Sequence, residues 1–404
     1  MQGREVELEA TNMAHGGVAV ARLDGRVVFV PDTIPGERVR ARITQDSKKS
    51  FWRAEALEVL EPSEHRQDHI WGAASIDRAP ERRAGGADYG HIEIGHQRAL
   101  KAHVLADSLK RFGGIERDVE VEALPGAADG TGWRTRVRLQ VAEDGRPGPF
   151  AVRSHTVIDV PDLPLATAAV EEVAPLGDVF PGMATVDVLT PSVGGARLVI
   201  GDQTPSTIVE RVGDRDFQLA DTGFWQVHEH AAVTLTEAVQ GAIDPALFDE
   251  KAANLDLYGG VGLLAAAVGD RFGAGVRITS IESDENATEF ASENLADWLG
   301  ASAITARVER WVRTLADASP GERARLSAAT VVLDPPRAGA GRAVLEALAA
   351  VTPAQFVYVA CDPVALSRDV AILAEHGYTL TGLRAFDLFP NTHHVEAVAS
   401  FARG

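Results

Sequence analysis

The chain has a single cysteine, Cys361, in 404 residues. No internal disulfide can form, and no metal can be held by several thiolates. Nowhere do about 18 apolar residues run unbroken, which argues against a transmembrane helix. The opening residues MQGREVELEA carry charges where a secretion signal needs its apolar stretch, so a cytoplasmic location is expected. Positive charge is also scarce: 39 Lys and Arg face 58 Asp and Glu, for a net charge of −19. That balance weighs mildly against a phosphate-rich partner, although the distribution of charge matters more than its sum.

A chain of this length exceeds one ordinary core, so two or three domains are expected. With 45% hydrophobic and 24% charged residues, its composition is that of a soluble globular protein. Its few basic residues are unevenly spread. Arg38, Arg40, Arg42, Lys48, Lys49 and Arg53 crowd a segment holding one acid, Asp46, and Phe51 and Trp52 lie inside it. A solvated strand edge explains such a run. So does a surface that holds phosphates and stacks bases on its aromatic rings.

From Arg4 to about Leu60, short alternating runs are punctuated by the turns Asp24-Gly25 and Pro35-Gly36. This pattern predicts a small closed β-barrel of the oligonucleotide-binding type over residues 1–62. A helix is expected over about 95–113, with Leu100, Val104, Leu105, Leu109 and Phe112 near the 3.6-residue spacing. Strand-like runs return from about 117 to 215, among them WRTRVRLQVA, HTVIDV, ARLVIG and STIVERV. They make 63–215 a central β-rich region, apart from the helix, which is expected to pack on the domain that follows. After about Asp216, strands alternate with helices, as in a doubly wound, Rossmann-like α/β sheet over 216–404.

Within that sheet, LDLYGGVG ends a strand and opens a helix with glycines at 259, 260 and 262. Such a turn brings backbone and a helix N-terminus close to a ligand, but it also occurs as a bare strand–helix turn. Glu282 closes the next strand, where an acid can accept from both ribose hydroxyls of an adenine cofactor. The two together favour a nucleoside cofactor without naming it. Further on, VVLDPPRAG runs a strand into Asp334 and two prolines, which stiffen a loop at the ligand-binding end of the sheet. Cys361, in YVACDPVALSRD, leaves a strand just before a helix whose N-terminus would favour a thiolate.

These segments carry a resemblance. HGGVAVARLDGRVVFVPDTIPGERVRARI resembles the TRAM domain, an RNA-binding barrel. YVACDP resembles the YVSCNP signature of the RNA uracil-C5 (5-methyluridine) methyltransferases of tRNA and rRNA. DTGFWQVHEHAA, DLYGGVG, LDPPRAG and LFPNTHHVEAVA follow that family's order and spacing. The resemblance implies S-adenosylmethionine as cofactor and RNA as partner. Matching positions imply Cys361 as nucleophile, Glu396 as general base, and Gln226, Tyr258, Gly260, Gly262, Glu282 and Asp334 at the cofactor. Carbon 5 of uracil becomes nucleophilic only after a thiolate adds to carbon 6, and a base must then remove the carbon 5 proton. A monomer without membrane attachment is expected. Two rivals are an RNA-binding protein that keeps the fold without turnover and a methyltransferase acting on nitrogen, and neither needs the Cys–Glu pair.

The chain departs from the family pattern at several positions. Many relatives hold a [4Fe–4S] cluster on four cysteines, but here the corresponding segment reads GGADYGH, with Ala87 at a ligand position. No cluster is expected, because ligation needs thiolates. Asp362 replaces the usual Asn after the nucleophile, a charge expected to raise the thiol pKa. Gly259 replaces a cysteine, with no cost expected, and Leu263 stands where Asn is common. His393 and His394 form no expected metal site, since neighbours on a strand face opposite ways.

Overall fold

The computed structural model describes residues 2–48 and 50–404. Strands β1 (Glu5–Ala14), β2 (Val18–Leu23), β3 (Arg26–Val30), β4 (Arg38–Gln45) and β5 (Phe51–Glu61) close a barrel in the order β1-β2-β3-β5-β4. Alternation along the strands turns Leu8, Ala21, Val28, Val39, Ile43, Trp52 and Ala54 into its core. At the β2–β3 hairpin, Asp24 and Gly25 both take positive φ, as a two-residue turn of this hand requires.

Helix α1 (Ile94–Ser108) runs into a widened π-type turn over Leu109–Gly113, which ends at left-handed Gly114. Leu105 and Leu109 join the core of the large sheet. The widened turn carries Phe112 off the apolar face, so it stays 44% exposed instead of packing as its spacing predicted. The next strand, β6 (Val121–Ala123), pairs in parallel at the edge of the large sheet.

The central region holds a sheet of β7 (Arg136–Val141), β8 (Pro147–Gly148), β9 (Thr185–Leu189) and β10 (Arg197–Ile200), with α2 (Ala168–Val173) beside it. HTVIDV forms no strand and contributes one isolated bridge, Val157 to Phe150. β11 (Thr207–Val212) and β12 (Arg215–Ala220) form a hairpin that straddles the boundary expected at 216. Its second strand is tied to the catalytic unit by Asn294, which exchanges hydrogen bonds with the Gln218 backbone.

The remaining elements are α3 (Ala231–Ala242), β13 (Asn254–Leu257), α4 (Leu263–Phe272), β14 (Arg277–Glu282), α5 (Glu285–Asn294) and β15 (Gly300–Thr305). After them come α6 (Val308–Thr314), α7 (Pro320–Ser327), β16 (Thr330–Leu333), α8 (Arg342–Ala350), β17 (Gln355–Ala360), α9 (Pro363–Glu375), β18 (Tyr378–Asp387) and β19 (Glu396–Arg403). With β6 they build an eight-stranded sheet, β15-β14-β13-β16-β17-β19-β18-β6, in which β19 is antiparallel to both neighbours. Helices cover both faces, so β13, β16 and β17 are buried at every residue, including the polar Asn254, Asp256, Thr330 and Gln355. The strand order reverses between β13 and β16, a switch point that opens a crevice at the carboxyl ends of the strands. No helix among the described residues is long and apolar enough to cross a membrane.

Candidate active site at the carboxyl edge of the sheet

At the switch point, β13 leaves through Tyr258 (φ +62°), Gly260 (φ +53°) and Gly262 (φ +90°), which puts alternate residues in the left-handed region. Gly260 N–H donates to Glu282 Oε2 at 3.1 Å, and Asp284 N–H donates to Glu282 Oε1 at 2.9 Å. The carboxylate at the end of β14 is thus locked against the glycine turn. Below the turn lies Asp256, fully buried, where it accepts from Ser280 Oγ at 3.1 Å. Burial pushes its pKa up to about 7.

Gln226, Tyr258, Gly260 and Asp334 line one cavity, together with Phe224 and Leu263. Gly262 and Glu282 do not line it, and Glu282 meets it only through the Gly260 amide. Phe224 is 76% exposed, a large ring at the cavity's edge that sequence reasoning passed over as part of a longer motif. Leu263 presents hydrocarbon where the resemblance led us to look for an amide. Burial and neighbouring Asp256 push Asp334 up to about 7. Asp334 and the bared glycine turn therefore meet at this crevice, with Asp256 and Glu282 packed behind the turn, a setting that fits a cationic nucleoside ligand.

The second half of the site lies across β17 and β19. Ala360 pairs with Ala397 in antiparallel register, so the next residues outward, Cys361 and Glu396, face one another. Glu396 is 5% exposed; burial and then Asp334 raise its pKa well above the carboxylate range, opposed by Arg337. Cys361 is half-buried, and its thiol is pushed up to about 12 by burial, Glu396 and Asp334. The helix terminus expected to favour a thiolate is already occupied at its first amides. The first amides of α9, on Val364 and Ala365, are taken by the Asp362 side chain at 3.0 and 2.8 Å. Arg337, the one cation lowering both groups, follows Pro335-Pro336 and reads in sequence as an ordinary loop residue.

Several contacts fix this edge. Asp369 accepts from Tyr358 Oη at 2.6 Å and from Ala340 N–H at 2.8 Å, which ties the loop after Asp334 to α9. Gln97 of α1 holds Asn391 at 2.9 Å, and Lys101 pairs with buried Asp387, so α1 anchors the segment that delivers Glu396. His393 and His394 lie in that segment, outside any strand, with ring centroids 4.1 Å apart. The alternation argued for them does not apply. Among the described residues, no group of three metal-binding side chains gathers anywhere.

The geometry can be set beside known proteins. A family model described as tRNA (uracil-5-)-methyltransferase matches residues 211–403, and a TRAM domain model matches residues 1–57. An uncharacterized RNA methyltransferase of Streptomyces coelicolor is 37% identical, with 98% of this chain and 92% of the relative aligned. One of Bifidobacterium longum is 35% identical over 99% and 97%. The chain belongs to the tRNA (uracil-5-)-methyltransferase family. It is an RNA methyltransferase that draws on S-adenosylmethionine. Its fold matches that of the Pyrococcus abyssi tRNA (uracil-54, C5)-methyltransferase in complex with S-adenosyl-L-homocysteine, with a TM-score of 0.69 over 98% and 99% of the two chains at 21% identity.

The methyltransferase's barrel corrects part of the expected RNA surface. Arg38 pairs with Glu61, Arg40 with Glu5 and Glu58, and Arg42 with Glu55, acids supplied by the flanking strands β1 and β5. The run lacked acids only along its own strand. Trp52, expected to stack bases, belongs to the barrel core at 8% exposure, with Arg26 over its ring. Phe51 is half-buried and packs edge-on against Phe29, with Arg53 beside it. Lys48 is exposed; Lys49 lies outside the described residues. Ala87, which the resemblance set at a cluster-ligand position, is packed in an apolar core with Trp71 and Leu163, and Trp71 Nε1 donates to Asp162 at 2.8 Å.

Proposed function

We propose that this methyltransferase transfers a methyl group to carbon 5 of a uridine in tRNA or rRNA through a covalent bond between Cys361 and carbon 6. The observation that supports the reading is that Cys361, one residue past β17, and Glu396, which opens β19, lie next to the paired Ala360 and Ala397 and interact electrostatically, at the sheet end that also carries Asp334 and the glycine turn. The crevice fits the cofactor because Asp334, which lines it and whose pKa burial and Asp256 raise, calls for a positively charged neighbour. S-adenosylmethionine supplies, when bound, an electrophilic methyl group and a positive charge. Gln226, Tyr258, Gly260, Gly262, Glu282 and Asp334 are the residues that would hold it.

Cys361 and Glu396 both hold their protons tightly in the free protein. Beside a positive charge both ionise more readily. Cys361 sulfur then bonds to carbon 6, and carbon 5 gains nucleophilic character and takes the methyl group. Glu396 removes the carbon 5 proton, the carbon 5–carbon 6 double bond re-forms, and the sulfur leaves as the thiolate. Since a stacked base shields carbon 6, the target uridine is flipped or already unpaired. The barrel assists by holding RNA.

No iron–sulfur cluster enters this scheme, because the one cysteine serves the reaction and the Ala87 region is filled by side chains. One copy of the chain holds every residue the scheme uses, so a monomer working in the cytoplasm suffices. The test is Glu396→Gln with unmodified RNA. The variant should methylate and then stall, leaving RNA attached to Cys361 as a slow band on a denaturing gel. Normal turnover without an adduct would reject Glu396 as base and favour chemistry at nitrogen.

A further inference from the structure

The barrel reaches the reaction centre. The β1–β2 turn, His15-Gly16-Gly17, packs against the segment that delivers Glu396, so closely that a Cβ on Gly17 would lie 2.7 Å from His393 Cβ and 2.6 Å from Asp88 Oδ2. Ala14 to Gly17, Arg337, Cys361 and Asp362 enclose a cavity of about 120 Å³ over the thiol. Across it, His15 Nε2 lies 2.8 Å from Asp362 Oδ2. The other oxygen of Asp362 caps α9, so the carboxylate is clamped from two sides.

We propose that His15 of the barrel is a positioning residue of the methyl-transfer site, holding Asp362 and cancelling its charge beside Cys361. The proposal rests on Cys361 as the nucleophile. A carboxylate next to a thiol stabilises the protonated form, and a cation on that carboxylate relieves the effect. The groups acting on Cys361 are Glu396, Asp334 and Asp362, which raise its pKa, and Arg337, which lowers it. The groups acting on His15 are Asp362, which raises its pKa through the hydrogen bond and its charge, and Arg368, which lowers it together with burial. His15 is therefore protonated over a wider pH range than a free histidine. Its help is present at low pH and is lost as pH rises through its own pKa.

A test is available that does not require RNA. Because Cys361 is the only cysteine, alkylation of the full-length protein by iodoacetamide reports on this thiol alone, and comparing rates at two pH values separates its thiolate fraction from its access. At pH 6.5, His15→Ala should react about three- to tenfold more slowly than the wild type, as expected for a shift of up to about one pKa unit. Near pH 9 the two should converge. His15→Lys should restore most of the rate, whereas His15→Gln, which keeps a hydrogen bond without charge, should not. In Asp362→Asn, which keeps a capping side chain, adding His15→Ala should change nothing further. Equal alkylation of wild type and His15→Ala at pH 6.5, or full rescue by Gln, would overturn the proposal. Slowed alkylation in a protein that leaves uridine unmethylated would instead uphold the electrostatic link and reject the reading of function.

Discussion

Ser280 Oγ occupies the space that a side chain on Gly259 would need, and Asp256 Oδ2 stands 2.6 Å from the same point. The family resemblance, whose motif has cysteine here, led us to expect no cost from glycine at this position. The structure shows that the glycine is required as long as Ser280 bonds to Asp256 beneath the turn. Gly259→Ala should destabilise the fold by about 1–3 kcal/mol through overpacking and weaken cofactor binding. Adding Ser280→Ala should recover much of the loss, as read by denaturant unfolding. Additive losses in the double variant would show that the two sites do not share this space.

Asp334 and Asp256 carry the pH dependence of the cofactor site, both pushed up to about 7. Because the folded state binds these protons more tightly than the unfolded chain, their contribution to stability is present in acid and lost as pH rises from about 4 through about 7. Binding of a cation has the opposite sense, since it selects the ionised carboxylates. S-adenosylmethionine affinity, measured by calorimetry, should rise severalfold from pH 6 to pH 8, and Asp334→Asn should flatten that rise. A profile equally steep in the variant would remove Asp334 from the account.

The apolar core that replaces the cluster cysteines should behave as structure. Trp71→Ala should cost about 3–5 kcal/mol, as for a large buried ring. The purified wild-type protein should carry no stoichiometric iron. Iron in a one-to-four ratio of protein to metal would contradict the proposed role of this region.

On the barrel, the ion-paired arginines and the other basic residues should differ. Removing a phosphate contact lowers the slope of log affinity against log salt by roughly 0.7 to 0.9. Lys48→Ala with Arg53→Ala should lower the slope for RNA binding by that amount per contact. Arg38→Ala, Arg40→Ala and Arg42→Ala together should lower it less, because each charge is already matched by a glutamate on a neighbouring strand. A larger effect from the arginines would mean that RNA displaces those pairs.

Local pattern made much of this legible. The barrel's hairpin turns, the buried runs of β13, β16 and β17, and the residues Asp334 and Cys361 at strand exits all follow from periodicity and proline placement along the chain. What stayed hidden depends on partners distant in sequence. The acids that match Arg38, Arg40 and Arg42 lie on other strands. Trp52 turns inward because alternation along β5 sets its face. The thiol pKa is raised first by burial and then by Glu396 and Asp334, both distant in sequence, whereas the smaller effect of the adjoining Asp362 was legible in the sequence. No local signal marks His15, which reaches Asp362 across 347 residues.

The most direct measurement is methyl transfer from labelled S-adenosylmethionine to unmodified total RNA, followed by digestion to nucleosides. Wild-type protein should place the label in 5-methyluridine at a defined position. Cys361→Ser should place none while still binding RNA, because a neutral hydroxyl is a far weaker nucleophile than a thiolate. Label in a nitrogen-methylated base, or full methylation by Cys361→Ser, would contradict the mechanism.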